Sequence, residues 1–224
     1  MRQKLLLKLA IAAVAVAVFG LLFVRSLRQT TAEPYVLNQA AMTGWRLALA
    51  QPDERSVAVL SLRPPVDSVR ELFQQIFRRT MQSLSGLDPP LVPLVLVTEF
   101  NSALRRVFSD SELLDQAEKL GLGAAGFTPV CLAVRREQRD GTARELFYVL
   151  FDAPAFGRFR DELARRFVER GGQHGTFDPS ALSPVMPIAA TDADFTSWLP
   201  FQASREGDCR APIAGERDEV LPPN

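Results

Sequence analysis

One stretch limits what this chain can become more than any other: Leu5 to Val24 reads LLLKLAIAAVAVAVFGLLFV. About 20 apolar residues of helix cross a hydrocarbon core of roughly 30 Å, and the run carries a single lysine near its start. A single transmembrane helix over 5–24 is therefore expected, with the lipid bilayer as its partner. Arg25 and Arg28 follow the run directly, and only the weak Thr30-Thr31-Ala32 resembles a small-residue cleavage site, so the span is read as retained and not as a cleaved signal. Arg2 and Lys4 precede it and Lys8 lies near its start, which points by the positive-inside bias to a cytoplasmic N-terminus. The expected location is a bacterial inner (cytoplasmic) membrane, single-pass, with the soluble part on the periplasmic side.

Charge removes other classes. Lys and Arg number 26 and Asp and Glu 26 in 224 residues, so the chain has no basic field to neutralise phosphates, and no nucleic-acid partner is expected. Two cysteines and one histidine, His174 in Gly-Gly-Gln-His-Gly, do not make a tetrahedral zinc site, and neither metal nor cofactor is expected.

Residues 25–44 are polar without sustained periodicity and read as a tether. Structure is expected from Trp45. WRLALA alternates as a half-buried strand, and Ser56 to Leu62 is a second strand. The strongest helical period follows: Val69, Leu72, Phe73, Ile76, Phe77, Met81 and Leu84 fall on one face, with Asp67 or Ser68 as N-cap, a Ser68/Glu71 capping box, and Gly86 as the stop. LVPLVLVTEF, Leu91 to Phe100, is apolar almost throughout and predicts a central strand buried on both faces, with Pro93 at its start. Ser109 and Glu112 form a second capping box, opening a helix that stops at Gly121. FTPVCLAV and ELFYVLF predict two strands joined at Asp140-Gly141, a hairpin signal. A last helix buries Phe156, Phe159, Leu163 and Phe167 before Gly171-Gly172.

Periodicity then fails. Residues 172–224 hold Pro179, Pro184, Pro187, Pro200, Pro212, Pro222 and Pro223 and read as an extended C-terminal arm. Its Phe177, Phe195, Trp198 and Phe201 are costly to leave in water, which makes them partner-binding candidates.

Between Ser56 and Arg170 the order is strand, helix, strand, helix, strand, strand, helix. With Leu62-Arg63-Pro64-Pro65-Val66 at the first strand-to-helix junction and Thr128-Pro129 before a later strand, it resembles the membrane-anchored thiol-disulfide oxidoreductases of the thioredoxin-like fold. That resemblance implies an α/β domain over 45–171, with a central mixed sheet flanked by helices, and a cis-proline at Pro129. It also implies that Arg63 and Val66 occupy the two cysteine positions of the redox motif around Pro64 and Pro65. Dithiol exchange needs an attacking and a resolving thiol, so no such turnover is expected.

Cys131 lies in an apolar strand, where a thiol is most often a small buried hydrophobe; a disulfide to Cys209 is allowed outside the cytoplasm, and an exposed reactive thiol is the alternative. Asp192 with Asp194, and Asp115 with Glu118, read as solvated carboxylates and not as acid-base pairs. The expected function is that of a non-catalytic, membrane-anchored accessory subunit docking on the subunits of a larger membrane protein complex, with electron-transport complexes, respiratory or photosynthetic, as candidate hosts. The alternatives are a thiol enzyme or sensor acting through Cys131, and a solitary envelope chaperone or ligand-binding module.

Overall fold

A computed structural model describes residues 20, 34–37, 45–50, 56–123 and 126–214. The chain divides into two compact units, Met1–Pro34 and Tyr35–Asn224. Apart from Gly20, the expected membrane span 5–24 lies outside the described residues, as does most of the expected tether. Among the described residues no helix is long and apolar enough to cross a membrane.

The second unit is a mixed α/β domain with curled sheet flanked by helices. Its strands are β1 (Tyr35–Val36), β2 (Arg46–Leu49), β3 (Ala58–Arg63), β4 (Ser85–Gly86), β5 (Val92–Leu96), β6 (Thr128–Arg139), β7 (Thr142–Asp152), β8 (Val185–Ala190) and β9 (Cys209–Ala214). Its helices are α1 (Val66–Thr80), α2 (Val97–Ser102), α3 (Asp110–Lys119), α4 (Pro154–Glu169) and α5 (Arg205–Asp208). Six strands form one sheet in the order β1-β9-β6-β7-β8-β4, and three form another in the order β2-β3-β5.

Much of the local chemistry acts as its residue types dictate. Glu112 N–H donates to Ser109 Oγ at 3.3 Å while Ser109 N–H donates to Glu112 Oε2 at 2.9 Å, so the capping box starts α3. Asp140 and Gly141 turn the β6-β7 hairpin with φ of 52° and 75°, which suits the right-handed twist of the strands they join. Pro154 opens α4, which buries Phe156, Phe159, Leu163 and Phe167. A Cβ at Gly172 would stand 2.5 Å from the Phe167 ring, so only glycine lets the chain leave α4 this closely.

Other expectations change. Helix α1 begins at Val66 behind Pro65, whose φ of −58° and ψ of 132° serve as the N-cap; Ser68 Oγ donates to Pro65 O at 2.8 Å, so no Ser68/Glu71 box forms. The helix ends at Thr80, where Met81 takes φ 53°, ahead of the expected stop at Gly86. Its apolar stripe is buried only at Val69, Leu72 and Ile76; Phe77 is 46% and Met81 78% exposed.

The sheet also departs from the resemblance. Strands β3 and β5 flank α1 but pair antiparallel, and β3 neighbours β2 and β5 rather than β6 or β7. The elements that match the thioredoxin-like order in sequence therefore do not make one central sheet. β5 is at the end of its own sheet and is buried because β8 packs beside it. The expected boundary at 171/172 also moves. β8 pairs antiparallel with β7 from Leu150↔Val185 to Leu146↔Ala190, and β9 pairs with β6, so residues 185–190 and 209–214 complete the sheet. Proline-bearing strands escape a periodicity search, yet Met186-Pro187 lies in a fully buried strand. On the other side, Tyr35 and Val36 leave the expected tether and pair with Ile213 and Ala214.

The pairing shows a unit used twice. β2-β3-α1-β5 and β6-β7-α4-β8 are each two antiparallel strands, a helix and a third antiparallel strand. Leu47 and Leu49 pair with Leu62 and Leu60, as Leu132 and Val134 pair with Val149 and Phe147. In the third strand both units carry a proline followed by one extra residue. Ser61 pairs with Pro93 and Leu60 with Val95, leaving Leu94 over; Tyr148 pairs with Pro187 and Phe147 with Ala189, leaving Ile188 over. The same bulge at the same register in both units marks Leu47-Ala48-Leu49 as the structural equivalent of Leu132-Ala133-Val134.

Candidate functional site

The loop at the degenerate motif is built by β3 and α1. Arg63 ends β3 and pairs in register with Arg46, Pro64 and Pro65 turn the chain, and Val66 is 46% exposed. Thr128-Pro129 starts β6 opposite Asp152 and Phe151. Trp45, next to Arg46 at the start of β2, sets its ring edge-on to Phe151, the register partner of Pro129, at 5.7 Å. The expected cis bond is absent here. Among the described residues the cis X-Pro bonds are Asp88-Pro89 and Leu199-Pro200, and Pro129 is held as an ordinary trans residue of a strand.

Cys131 and Cys209 are joined in a disulfide with Cα atoms 5.7 Å apart, between the paired strands β6 and β9. That removes the expectation of an exposed Cys131 thiol: its sulfur is bonded and the residue is 4% exposed. The described residues contain no free cysteine.

The four aromatic candidates belong to the core. Phe177, Phe195, Trp198 and Phe201 are 6%, 5%, 2% and 5% exposed, so they are not free to engage a partner. Phe201 meets Tyr148 edge-on at 5.0 Å, and Arg160 lies 5.0 Å over the Phe177 ring. Trp198 Nε1 donates to Asp192 at 3.1 Å, Arg144 stacks 4.3 Å over the indole, and Arg144 pairs with Asp192 at 3.1 Å. Asp192 is thus committed to this cluster, while Asp194 caps the short 3-10 turn Phe195–Ser197 through Ser197 N–H. His174, Phe177 and the exposed Val168 line a cavity of about 720 Å³ beside α4. Among the described residues no group of three His, Cys, Asp or Glu side chains is placed to hold a metal ion.

One face was not singled out in the sequence. β2 ends the three-stranded sheet, and at its Leu49 end a cavity of about 800 Å³ is lined by Leu49, Phe100, Arg105, Arg106, Val107 and the start of α3 from Ser109 to Ser111. Arg46, Arg105 and Arg106 are exposed and make no ion pair with a described residue. Some arginines elsewhere are paired, as Arg170 is with Glu112 at 2.9 Å and Arg135 with Glu137 at 2.8 Å, whereas Arg158, Arg205 and Arg210 are exposed and likewise make no ion pair with a described residue. Hydrogen bonds from the Ser109 backbone and from Arg170 hold the Glu112 carboxyl below its ordinary value. The arginines can hold carboxylates, and the β2 edge, with no described strand beside it, offers backbone donors and acceptors. The legible signal was the repeated Leu-Ala-Leu of β2 and Leu-Ala-Val of β6, which shows only when the two units are aligned by their pairing.

Compared with protein-family models, with curated proteins and with solved structures, the chain matches none.

Proposed function

We propose that the chain is a non-catalytic, membrane-anchored accessory subunit whose α/β domain lies on the periplasmic side of a bacterial inner membrane and docks on the subunits of a larger membrane protein complex, with an electron-transport complex as candidate host. The observation that carries this reading is the Cys131–Cys209 bond. Disulfides persist outside the reducing cytoplasm, in agreement with an anchor at 5–24 followed by Arg25 and Arg28. The same bond occupies the chain's two cysteines, and Arg63 and Val66 supply no thiol at the motif positions. The half-buried Asp192, held by Arg144 and Trp198, and the capping role of Asp194 support a structural use for those carboxylates.

Docking now rests on the open β2 face and not on the C-terminal aromatics. Extraction of the tagged full chain in mild detergent, followed by native electrophoresis and mass spectrometry, tests the reading. Stable co-migrating membrane subunits and a mature N-terminus at Met1 or Arg2 are expected. A chain that migrates alone, or one that begins near Glu33, overturns it.

A further inference from the structure

The two equivalent units differ in what covers their first strand. In the second unit β9 lies along the outer edge of β6, with Cys131, Leu132 and Ala133 pairing with Pro212, Ala211 and Cys209. These β6 residues are 4%, 1% and 0% exposed, and Val134 is 6% exposed. In the first unit the equivalent strand β2 has β3 on one side and no described strand on the other. There Arg46 is exposed, and Leu47, Ala48 and Leu49 are only half-buried. The same strand, in the same register, is thus sealed in one unit and, among the described residues, open in the other.

The open edge carries usable backbone groups. Ala50 N–H donates to Val59 O at 2.8 Å, toward β3. By the alternation of an antiparallel ladder, the N–H and C=O groups of Leu47 and Leu49 point away from β3, to the uncovered side. Such an edge is a template for another strand. Helix α3 packs beside β2 and β3, and the cavity at its start continues the edge past Leu49.

We infer that the β2 edge is the docking site for an extended, acidic segment of a partner protein, which adds antiparallel to Arg46–Leu49 as β9 adds to β6 and places its carboxylates against Arg46, Arg105 and Arg106. The charge decides the occupant. Three exposed arginines without a described ion-pair partner outnumber the one exposed carboxylate lining the same cavity, Asp110, and so favour carboxylates. A second copy of this chain fits poorly: antiparallel pairing of two β2 strands sets Arg46 of one copy at the Leu49 end of the other, against Arg105 and Arg106, where like charges repel. The inference deepens the docking role proposed above and rests on it for there being a partner, but a peptide assay reads the edge without reference to any complex.

The experiment uses the full chain in detergent micelles and a fluorescently labelled synthetic peptide of sequence Asp-Thr-Val-Thr-Val-Glu-Thr, with a lysine-for-acid version and a version with proline at the two valines as controls. Saturable anisotropy change with the acidic peptide alone, and slowed amide exchange confined to residues 46–49, are expected. Two variants locate the contact. Leu47→Pro removes an outward N–H at a strand edge, where proline is tolerated, and Arg105→Glu with Arg106→Glu reverses the charge without touching the ladder; each weakens binding by about tenfold or more. If Leu47→Pro does not fold, the charge reversal alone decides. Failure of the acidic peptide to bind, equal binding of the lysine peptide, or affinity unchanged in the charge-reversed variant overturns the inference. So does a concentration-dependent dimer abolished by Leu47→Pro, which assigns the edge to a second copy. Co-migration with a complex in the native gel would then still stand, because it does not depend on this edge.

Discussion

Arg160 reaches from α4 of one unit to Glu99 in α2 beyond the other, its Nη2 standing 2.5 Å from Glu99 Oε1. The guanidinium is fully buried and donates as well to the carbonyls of Leu94, Asp178 and Pro179. Leu94 is the extra residue of the β5 bulge, so the carbonyl that the bulge frees from the ladder is received by the second unit's helix. Glu99 Oε2 in turn accepts from Leu96 N–H at 3.0 Å, capping the turn after β5. One planar cation with its donors fully used joins the two halves of the domain.

Replacing Arg160 by Met should therefore cost about 3–5 kcal/mol, because it leaves the Glu99 carboxylate and three carbonyls without their donor. Urea unfolding of the variant measures this. Glu99→Leu combined with Arg160→Met should be less destabilised than the sum of the two single variants; additive losses would show that the ion pair is not coupled.

The Cys131–Cys209 bond closes a long loop, with 78 residues of sequence separation, so its loss should cost about 2–4 kcal/mol. Melting with and without reductant, and with Cys131→Ser and Cys209→Ser, checks it. The oxidised wild type should melt highest, and the reduced wild type and the double variant should coincide. Mass measurement under non-reducing conditions should find no alkylatable thiol.

Truncation after Gly172 should leave the domain unfolded. It removes β8, buried along its whole length, and β9, together with the core residues Phe177, Phe195, Trp198 and Phe201. A soluble truncated chain with the wild type's near-ultraviolet dichroism would contradict this placement of the C-terminal segment.

Stability should fall at alkaline pH through Tyr148. Burial first, then the negative charge of Asp208, raise its phenol above the ordinary 10.0. A raised native value means that the folded state holds the proton more tightly than the unfolded state. Its contribution is complete below about pH 10 and is lost as pH rises beyond it. Tyr148→Phe should flatten the alkaline limb of a stability profile and leave the profile near neutrality almost unchanged; an equally steep limb in the variant would assign the loss to other groups.

Elements whose partners lie close in sequence were legible in it. The Ser109/Glu112 box, the Asp140-Gly141 turn, the buried face of α4 and the strand ending at Arg63 each follow from residues within one turn or one hairpin, where spacing alone states which groups meet. Periodicity tells which face of an element is apolar but not what covers it. For that reason Phe77 of α1 and Met81 just past its end joined the predicted stripe yet remain exposed, while Met186-Pro187, which has no period, fills the sheet beside β7. The antiparallel β3-β5 pair, the β6-β9 pairing that brings Cys131 to Cys209, and the reach of Arg160 to Glu99 all depend on contacts between residues far apart in the chain. Long-range pairing of this kind is chosen by the whole core at once, and only the tertiary structure decided that one copy of the repeated strand is covered while the other, among the described residues, has a strand on one side alone.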